Sequence, residues 1–394
     1  MESTGNISGK TLAKLEEFGT IFSEILTHSL VVPGKSLRWT IIANPSAGGF
    51  TINKRWKKHR EALSKTLEKA RNNPLRSDAC PSVSSKTRSN NRQSSEDPIA
   101  KLGIYGLVPT TAPGNAVEIS KALLQEMAGE KDTFYLFITA GGDGTSLEVL
   151  QTLYHAPPAL LSRLIIIRLP LGTGNDGAEA WEMEDALKLF INPTKIEKSC
   201  GIKLSTVSGK TWPSSEPFLA FNVLSVGLDA FVTHMTNKMK GKLPGDSYKL
   251  WVDIAALLYD TIYKVDFMEV RGYDEKNAEV INFKEKLLLC AMGISGKRSY
   301  GSHKMILPDT RNVCAIKQMP LFRKIMLKNL FSSGGHVGKP ESILCNAVRI
   351  EITGRHPILA QMDGETVRLE KSDFPIVIEL TKPAIPVLKL IQND

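Results

Sequence analysis

The sequence predicts an α/β domain followed by a mostly antiparallel β domain. Up to about residue 196, apolar strand-like runs alternate with helix-like segments, which favours a parallel sheet covered by helices on both faces. After about residue 197 the pattern changes to shorter β-like runs separated by turn residues, which is typical of antiparallel strands. A chain of 394 residues is long for one hydrophobic core, so two domains are expected.

The first domain is expected to span residues 38–196 and to follow a helical N-terminal extension over residues 1–37. Residues 72–98 interrupt the domain, because they are rich in Ser, Asn and Arg and carry few large apolar side chains. Such a segment buries too little apolar surface to offset chain entropy, so we predict a disordered insert. The other elements predicted here are strands at 36–43, 102–108, 134–138 and 164–169, and helices at 53–71, 116–127 and 146–154.

The second domain is expected to begin near residue 197. Its β-like runs are short and are separated by turn residues, apart from one helical interruption near residues 248–263. This spacing favours hairpins over long crossover connections. The strands predicted in this domain lie at 202–207, 218–226, 265–272, 280–294 and 348–352.

Charge and cysteine content restrict the functional class. A net charge of +9 and a pI near 9.1 favour anionic partners, namely nucleotides, acidic membrane surfaces or nucleic acid, and do not rank them. Five widely spaced cysteines without a Cys-x-x-Cys pair suggest neither a zinc site nor a disulfide framework. No secretory signal or membrane-spanning run is recognisable, so we expect a cytoplasmic protein whose membrane contact is peripheral.

The glycine-rich turn at 141–145 is the most informative motif. Gly141, Gly142 and Gly144 are expected to take positive φ and to let backbone N–H groups close on an anion at a helix N-terminus. A carboxylate beside phosphate is repelled unless a cation or a transferable proton lies between them. Asp143 is therefore predicted to be catalytic or to face a metal ion. The alternative is a plain strand-to-helix turn in which Asp143 or Thr145 caps the helix.

Two further turns carry candidate chemistry. Residues 172–177 fit the Gly-x-Gly-x-x-Gly pattern, but they follow about the fourth strand, and Asp176 stands near where a dinucleotide pyrophosphate would lie. A dinucleotide site is therefore disfavoured. Asp363 and Glu365 flank Gly364, and such carboxylates suit Mg²⁺-dependent phosphoryl transfer to a hydroxyl. The alternative there is an ordinary Asp-Gly hairpin turn.

Taken together, these turns resemble the diacylglycerol kinase catalytic family, which includes sphingosine and ceramide kinases and soluble bacterial lipid kinases. Order and spacing match from about residue 38 to the C-terminus. The motifs that carry the resemblance are Asn44-Pro45 with Gly48, Gly141 to Thr145 with Glu148, Pro170 to Asp176, Asn222 with Gly227 to Ala230, Gly296 to Pro308, and Asp363 to Glu365.

The resemblance implies a fold and an activity. The fold would be a three-layer α/β nucleotide domain followed by a β-sandwich substrate domain at 197–375, with the substrate cleft between them. The segment 376–394 would return to the first domain. The activity would be ATP- and Mg²⁺-dependent transfer of a phosphoryl group to the hydroxyl of a diacylglycerol-like or sphingoid lipid.

The same resemblance assigns roles to residues. Asp363 would be the general base, although Asp143 is the candidate base in some branches of the family. Glu365 and Asp143 would lie near Mg²⁺, and Asn175 and Asp176 would shape the substrate cleft. The nucleotide would be bound by Asn44, Thr110, Gly141, Gly142, Gly144, Thr145, Gly172 and Thr173.

Departures from the family pattern leave alternatives open. Gly177 and Glu179 stand where the family often has an aromatic and a basic residue, which keeps a catalytically inactive relative that binds lipid or nucleotide in consideration. A NAD kinase-like enzyme is the other alternative, because that family shares the Gly-Gly-Asp-Gly loop. The expected partner is a lipid substrate at a membrane surface, without nucleic acid, and a homodimer is possible.

Apolar and basic residues interleave in residues 321–331. On a helix, Phe322, Ile325, Met326 and Leu330 would share one face. This pattern suits a membrane surface. We nevertheless favour burial of the face within the domain, because amphipathic helices usually pack their apolar stripe against their own core.

Overall fold

The computed structural model describes residues 7–73, 98–212, 216–239, 257–301 and 304–391. The chain divides into two compact units, residues 1–199 with 384–394 and residues 200–383. The insert predicted at 72–98 lies almost entirely outside the described residues.

The first unit is built on a six-stranded sheet with the order β2-β1-β3-β4-β19-β5. The four strands β2, β1, β3 and β4 run parallel, β19 runs parallel to β4, and β5 is antiparallel to β19. The predicted α/β class is therefore confirmed for this unit. The strands are β1 (Ser36–Ala43), β2 (Leu107–Pro109), β3 (Thr133–Gly141), β4 (Leu164–Pro170), β5 (Thr194–Ser199) and β19 (Ile385–Leu390).

Helices cover both faces of this sheet. Alternate residues of the central strands, such as Ile41, Ile138 and Ile167, share a core with three helices, α1, α3 and α8. The intervening residues, such as Phe137 and Ile166, are buried as well. The helices are α1 (Gly9–Thr27), α2 (Gly48–Thr51), α3 (Asn53–Arg71), α4 (Pro98–Leu102), α5 (Asn115–Ala128), α6 (Asp143–Tyr154), α7 (Pro158–Leu161) and α8 (Met183–Ile191).

The N-terminal extension is part of the first core. Helix α1 buries one face completely, including Leu15, Phe18 and Phe22. Phe18 meets Phe50 edge to face, and Phe22 meets Phe190 in the same way. Edge-to-face pairs are favourable because the positive rim of one ring meets the negative face of the other. The extension is thus a structural layer of the first unit.

The return of the chain to the first unit begins later than predicted. Residues 376–394 were expected to return together, but Ile376–Leu380 forms strand β18 and pairs with two strands of the second unit. The crossing occurs at Ala384, where the N–H group donates to the Ser199 carbonyl at 3.0 Å. Strand β19 then follows in the first sheet.

The second unit is an antiparallel β domain of eleven strands joined through β10. The first half of β10 pairs with β9, and its second half pairs with β8 and β13, so this strand of 15 residues belongs to two sheets. The strands in this connected set are β6 (Ile202–Thr206), β7 (Phe218–Ala220), β8 (Val223–Gly227), β9 (Phe267–Tyr273), β10 (Glu279–Gly293), β13 (Val313–Lys317), β14 (Ser342–Cys345), β15 (Arg349–Thr353), β16 (Ile358–Met362), β17 (Glu365–Leu369) and β18. A separate pair is formed by β11 (Arg298–Tyr300) and β12 (Lys304–Leu307).

The core of the second unit lies between the two sheets. It combines residues of one sheet, such as Ile350 and Ile378, with residues of the other, such as Val226 and Met292. A smaller cluster on the outer side of β8 and β10 is covered by helical residues, including Phe231. The helices described in this unit are α9 (Leu228–Met239), α10 (Tyr259–Ile262) and α11 (Leu321–Ser333).

Candidate active site

The carboxyl ends of β1, β3 and β4 meet at one edge of the first sheet. Ala43 lies beside Ala140, and Gly141 lies beside Pro170. The chain goes from β1 to β2 on one side and then crosses to β3 on the other. In open α/β sheets, such a reversal of strand order creates a crevice that binds ligands. The predicted residues at this edge are Asn44, Thr110, the loop 141–145 and the loop 172–176.

Helix α6 begins directly after β3. Gly142 is its N-cap residue and has no side chain with which to cap this helix end. The N-cap therefore leaves the first backbone N–H groups of α6 to other acceptors, and the helix dipole favours an anion beside them. Asp143 occupies the first helical position and projects from the same turn.

The glycines of this edge provide room for close packing. A Cβ atom on Gly141 would lie 2.8 Å from Thr145 Oγ1, and one on Gly172 would lie 2.5 Å from the Gly142 Cα atom. A Cβ atom on Gly144 would meet nothing within 4 Å. The expected positive φ is wrong for all three glycines of the loop, and Gly142 has φ −96°. Steric contact, and not left-handed backbone, explains Gly141 and Gly172.

Asn44 joins the end of β1 to the start of α6. Its Nδ2 group donates to Thr145 Oγ1 at 3.3 Å, and its Oδ1 atom accepts from the Ser46 N–H at 2.9 Å. The Thr110 N–H donates to the Ala43 carbonyl at 2.7 Å. These bonds hold three chain segments together around the glycine loop.

Glu148 has a structural function at this edge. Its two carboxylate oxygens accept from the Gly114 N–H at 2.9 Å and from the Ala116 N–H at 3.2 Å. These donors lie at the amino end of α5, where backbone N–H groups need acceptors and a negative charge is favourable. Glu148 thereby fixes the loop between Thr110 and α5.

Asp143 is the carboxylate that projects into this edge. Its Oδ1 atom accepts from the Gly177 N–H at 3.1 Å. Removal from water raises the pKa of Asp143, and the Asp176 carboxylate adds to this effect. The backbone hydrogen bonds from Gly177 and Asp176 and the Arg168 charge oppose it. The net result is a carboxyl group that holds its proton to higher pH than an exposed aspartate.

Asp176 lies close to Asp143 across Gly174. A Cβ atom on Gly174 would lie 2.9 Å from Asp143 Oδ2 and 3.1 Å from Asp176 Oδ2. The two oxygens therefore face the same small space, which only a glycine leaves open. Asn175, which directly precedes Asp176 in the chain, has φ 57°, a left-handed conformation that asparagine tolerates.

Glu179 anchors the loop that carries Asp176, and the sequence did not reveal this role. Its carboxylate lies 3.0 Å from Arg168 on β4 and 3.9 Å from Lys389 on β19, with side chains 3% exposed for Glu179 and 8% for Arg168. The Glu179 N–H also donates to the Arg168 carbonyl at 3.3 Å. An arginine inside a buried strand was the signal, since such a charge requires a partner.

Asp363 lies in the second unit, in the two-residue turn between β16 and β17. Asp363 and Gly364 have φ 47° and 107°, as expected for an Asp-Gly hairpin turn. The Asp363 carboxylate accepts three backbone N–H groups, from Phe221, from Asn222 at 3.1 Å and from Val223 at 3.0 Å. With 8% of its surface exposed, Asp363 ties the hairpin to the start of β8.

A polar network supports this hairpin. Gln361 Nε2 donates to Ser225 Oγ at 3.0 Å and lies 3.5 Å from Asp229 Oδ2, while Ser225 Oγ donates to Asp229 Oδ2 at 2.7 Å. Asn237 of α9 donates to the Gly364 carbonyl at 2.8 Å. Buried polar groups are stable only when hydrogen-bonded, so this network fixes the turn. Glu365 follows the turn and is exposed.

The predicted residues form two groups, one in each unit. Glycine-loop residues, Asn44, Thr110 and the loop 172–176 come together in the first unit. Asp363 and Glu365 come together on one hairpin of the second unit. Among the described residues, no group of three or more His, Cys, Asp or Glu side chains is arranged to hold a metal ion.

Comparisons with known proteins identify the class. A family model described as the diacylglycerol kinase catalytic domain matches residues 82–200. This range contains the glycine loop and the loop 172–176, whereas Asn44, Asp363 and Glu365 lie outside it. The resemblance predicted from the sequence is confirmed over this range, and it indicates the enzyme class of a lipid kinase.

Curated relatives extend the match. A protein of Cronobacter sakazakii named "probable lipid kinase YegS-like" is 28% identical over 245 residues, covering 61% of this chain and 74% of the relative. A protein of the same name from Enterobacter sp. strain 638 is 26% identical, covering 58% of this chain and 70% of the relative. These alignments cover more of the chain than the family model does.

A solved structure supports the fold. The crystal structure of "a putative diacylglycerol kinase" from Bacillus anthracis aligns with 90% of this chain and 97% of its own chain, with a TM-score of 0.52 and 16% identity. At this identity the likeness concerns the fold, which is the predicted α/β unit followed by an antiparallel β unit. In the described part of the chain, no helix is both long and apolar enough to span a bilayer.

Proposed function

We propose that this protein is an ATP- and Mg²⁺-dependent kinase that phosphorylates the hydroxyl of a diacylglycerol-like or sphingoid lipid. The observation that carries the proposal is the uncapped amino end of α6, next to Asp143 and the crowded glycines Gly141 and Gly172. Backbone N–H groups at such a helix end bind phosphate. Relatives named as lipid kinases supply the acceptor class.

In this proposal the triphosphate binds along the edge formed by β1, β3 and β4. Gly142, Gly144 and Thr145 would contribute N–H groups at the amino end of α6, because side-chain atoms leave this surface open around Gly144. Asn44, Thr110, Gly141, Gly172 and Thr173 would complete the nucleotide site. Thr173 is exposed, which suits contact with a ligand.

The donor set fits a hard divalent cation. Mg²⁺ prefers oxygen ligands and usually retains waters and phosphate oxygens besides one or two carboxylates. Asp143 and Asp176 direct carboxylate oxygens at the space beside Gly174, and Asp176 would be the cation ligand from this unit, which leaves Asp143 for proton transfer. The metal-binding role of Glu365 stays a prediction from the family resemblance. The cation would neutralise charge on the transferring phosphoryl group.

Of the two carboxylates that the sequence left open for the general base, we propose Asp143. A base acts best when its pKa is shifted toward the working pH, and burial raises the pKa of Asp143. Asp363 already accepts three backbone N–H groups, which leaves less of its acceptor capacity for a substrate hydroxyl. Asp363 is therefore proposed as a fixed anion that shapes its hairpin.

Diacylglycerol-like and sphingoid lipids reside in membranes, so we propose a cytoplasmic enzyme that associates peripherally with a membrane surface. Nucleic acid is not part of this proposal, and homodimer formation stays a prediction. Asn175 would help to shape the acceptor side of the Asp143 site, since its left-handed conformation sets the path of the loop from Gly174 to Asp176.

A radiolabelled-ATP screen tests the proposal. Purified protein is incubated with Mg²⁺ and micelles of diacylglycerol, ceramide or sphingosine, with NAD in a parallel reaction and with a lipid-free control. We expect label in one lipid product only when lipid and Mg²⁺ are both present. Label in NAD would establish the NAD kinase alternative. ATP binding without label in any product would establish the inactive relative.

A further inference from the structure

The first two turns of helix α11 turn their apolar side outward. The exposed fractions of the side chains are 74% for Phe322, 53% for Ile325, 53% for Met326 and 47% for Leu321. Burial of the face formed by Phe322, Ile325, Met326 and Leu330 was predicted; the prediction is wrong for the first three, whereas Leu330 packs against the core of the second unit. At about 100° per residue, the four side chains fall within roughly 140° of the helix circumference and form one patch.

Ion pairs explain why the helix has this orientation. Lys324 is 7% exposed, and its ammonium group donates to Asp260 and to the Leu257 carbonyl at 3.2 Å. Arg323 donates to Glu341 at 2.6 Å. The charged side of the helix is therefore held against the domain. A surface helix normally does the reverse, with its apolar stripe toward the core and its charges in water.

The patch consists of four exposed apolar side chains on one side of the helix. Exposed apolar patches of this kind mark protein or membrane contacts, and scattered single residues do not. Leu, Phe, Ile and Met on a helix end can enter the acyl region of a bilayer without a complementary protein surface. Exposed apolar side chains of this kind therefore favour a lipid bilayer as the partner.

The charge around α11 favours an anionic partner. From Lys297 to Lys339 the chain contains nine Lys or Arg residues and one acidic residue, Asp309. Four of the nine form ion pairs, Arg311 with Asp309, Lys317 with Glu285, Arg323 with Glu341 and Lys324 with Asp260, so the surplus of positive charge is smaller than the count of basic residues. Strand β12, which contacts α11, begins with the exposed Lys304. A basic surface beside an apolar patch is complementary to anionic phospholipid headgroups.

We propose that the patch formed by Leu321, Phe322, Ile325 and Met326 docks this protein on an anionic phospholipid bilayer. The inference rests on the proposed lipid-kinase function for its biological purpose, and on the patch and its charge for its physics. The ion pairs of Lys324 and Arg323 hold the charged side of α11 against the domain and keep its apolar side outward. In this proposal the patch contacts the bilayer and not a second copy of the chain.

Vesicle co-sedimentation without nucleotide tests the docking surface independently of catalysis. The full chain is mixed with phosphatidylcholine vesicles with or without phosphatidylglycerol. We expect binding that depends on phosphatidylglycerol, and the double substitution Phe322→Asp with Ile325→Asp should weaken it by about tenfold or more. The matched control is Val207→Asp with Val280→Asp, two exposed valines of the same unit that lie outside α11.

The outcomes separate the alternatives. Wild-type and control proteins should bind alike, and the α11 variant should keep its activity on a short-chain diacylglycerol that is dissolved as monomers. Equal vesicle binding by the α11 and control variants overturns the proposal. So does a wild-type dimer that the α11 variant converts to monomer without a change in vesicle binding. Docking through α11 without phosphorylation of any lipid refutes the proposed function and keeps this inference.

A fluorescence measurement covers the case in which the double variant does not fold. Phe322→Trp places an indole at the most exposed position of the patch. Its emission should shift to shorter wavelength when phosphatidylglycerol vesicles are added, beyond any shift of the wild-type protein. If vesicles leave the difference between the emission spectra of the variant and the wild-type protein unchanged, insertion of the patch into the bilayer is contradicted.

Discussion

Asp143 and Asp363 each stand directly before a glycine, Gly144 and Gly364, but their surroundings differ. Asp143 accepts backbone hydrogen bonds from Gly177 and Asp176, and burial raises its pKa. Asp363 accepts three backbone N–H groups and ties β16 and β17 to β8. The same side chain is therefore the proposed proton acceptor in one unit and a structural anchor in the other.

This difference follows from what each turn must satisfy. The start of β8 brings three backbone donors to one point beside the Asp363 hairpin, and a carboxylate is the side chain with enough acceptor sites for them. Asp143 accepts backbone hydrogen bonds from Gly177 and Asp176, which leaves it more acceptor capacity for the proposed role as base. Asp-Gly thus begins a helix in one unit and forms a hairpin turn in the other.

The largest expected effect is that of Asp143→Asn on turnover. Loss of a general base lowers kcat by about 10²- to 10⁴-fold. Stability should be unchanged or higher, because the desolvated carboxylate is no longer buried. Steady-state kinetics and thermal melting measure both quantities, with the exposed Asp132→Asn as control. Near-normal turnover in Asp143→Asn would remove this residue from the base role.

The next effect is a loss of stability in Asp363→Asn. Asparagine offers one carbonyl oxygen and turns an NH₂ group toward donors, so each backbone N–H left without an acceptor costs about 1–3 kcal/mol. Urea unfolding measures the loss. Asp309→Asn is the control in the same unit, since Asp309 forms a surface pair with Arg311. If Asp363→Asn is as stable as the control but inactive, Asp363 is the better base.

The smallest effect is a shift of the pH profile in Asp176→Asn, measured at saturating Mg²⁺ because Asp176 is also a proposed ligand of the cation. The Asp176 carboxylate raises the pKa of Asp143, so its removal should move the acid limb of the kcat/KM profile to lower pH. A folded pKa above the unfolded value gives stability that is present at low pH and lost as pH rises through it. This loss should disappear in Asp143→Asn. A shift to higher pH contradicts the assignment.

Much of the fold could be predicted because burial patterns determine it locally. The strand at 36–43 and the helix at 53–71 have the predicted bounds, since their apolar periodicity and end signals agree. The predicted strand at 102–108 is wrong over most of its length: only Leu107–Pro109 is a strand, and Gly106 has φ 63°. Short apolar runs do not distinguish helix from strand.

Motif order along the sequence by itself determined the resemblance to the diacylglycerol kinase family, the α/β and β composition of the two units, and the positions of the glycine loop and the Asp363 turn. Only the tertiary structure decided three matters: that Glu179 pairs with Arg168, that Asp363 is held by three N–H groups, and that α11 faces outward. Each depends on which groups lie opposite one another across distant segments. Local periodicity contains no information about such partners, and burial of a charge is stable only where the fold supplies one.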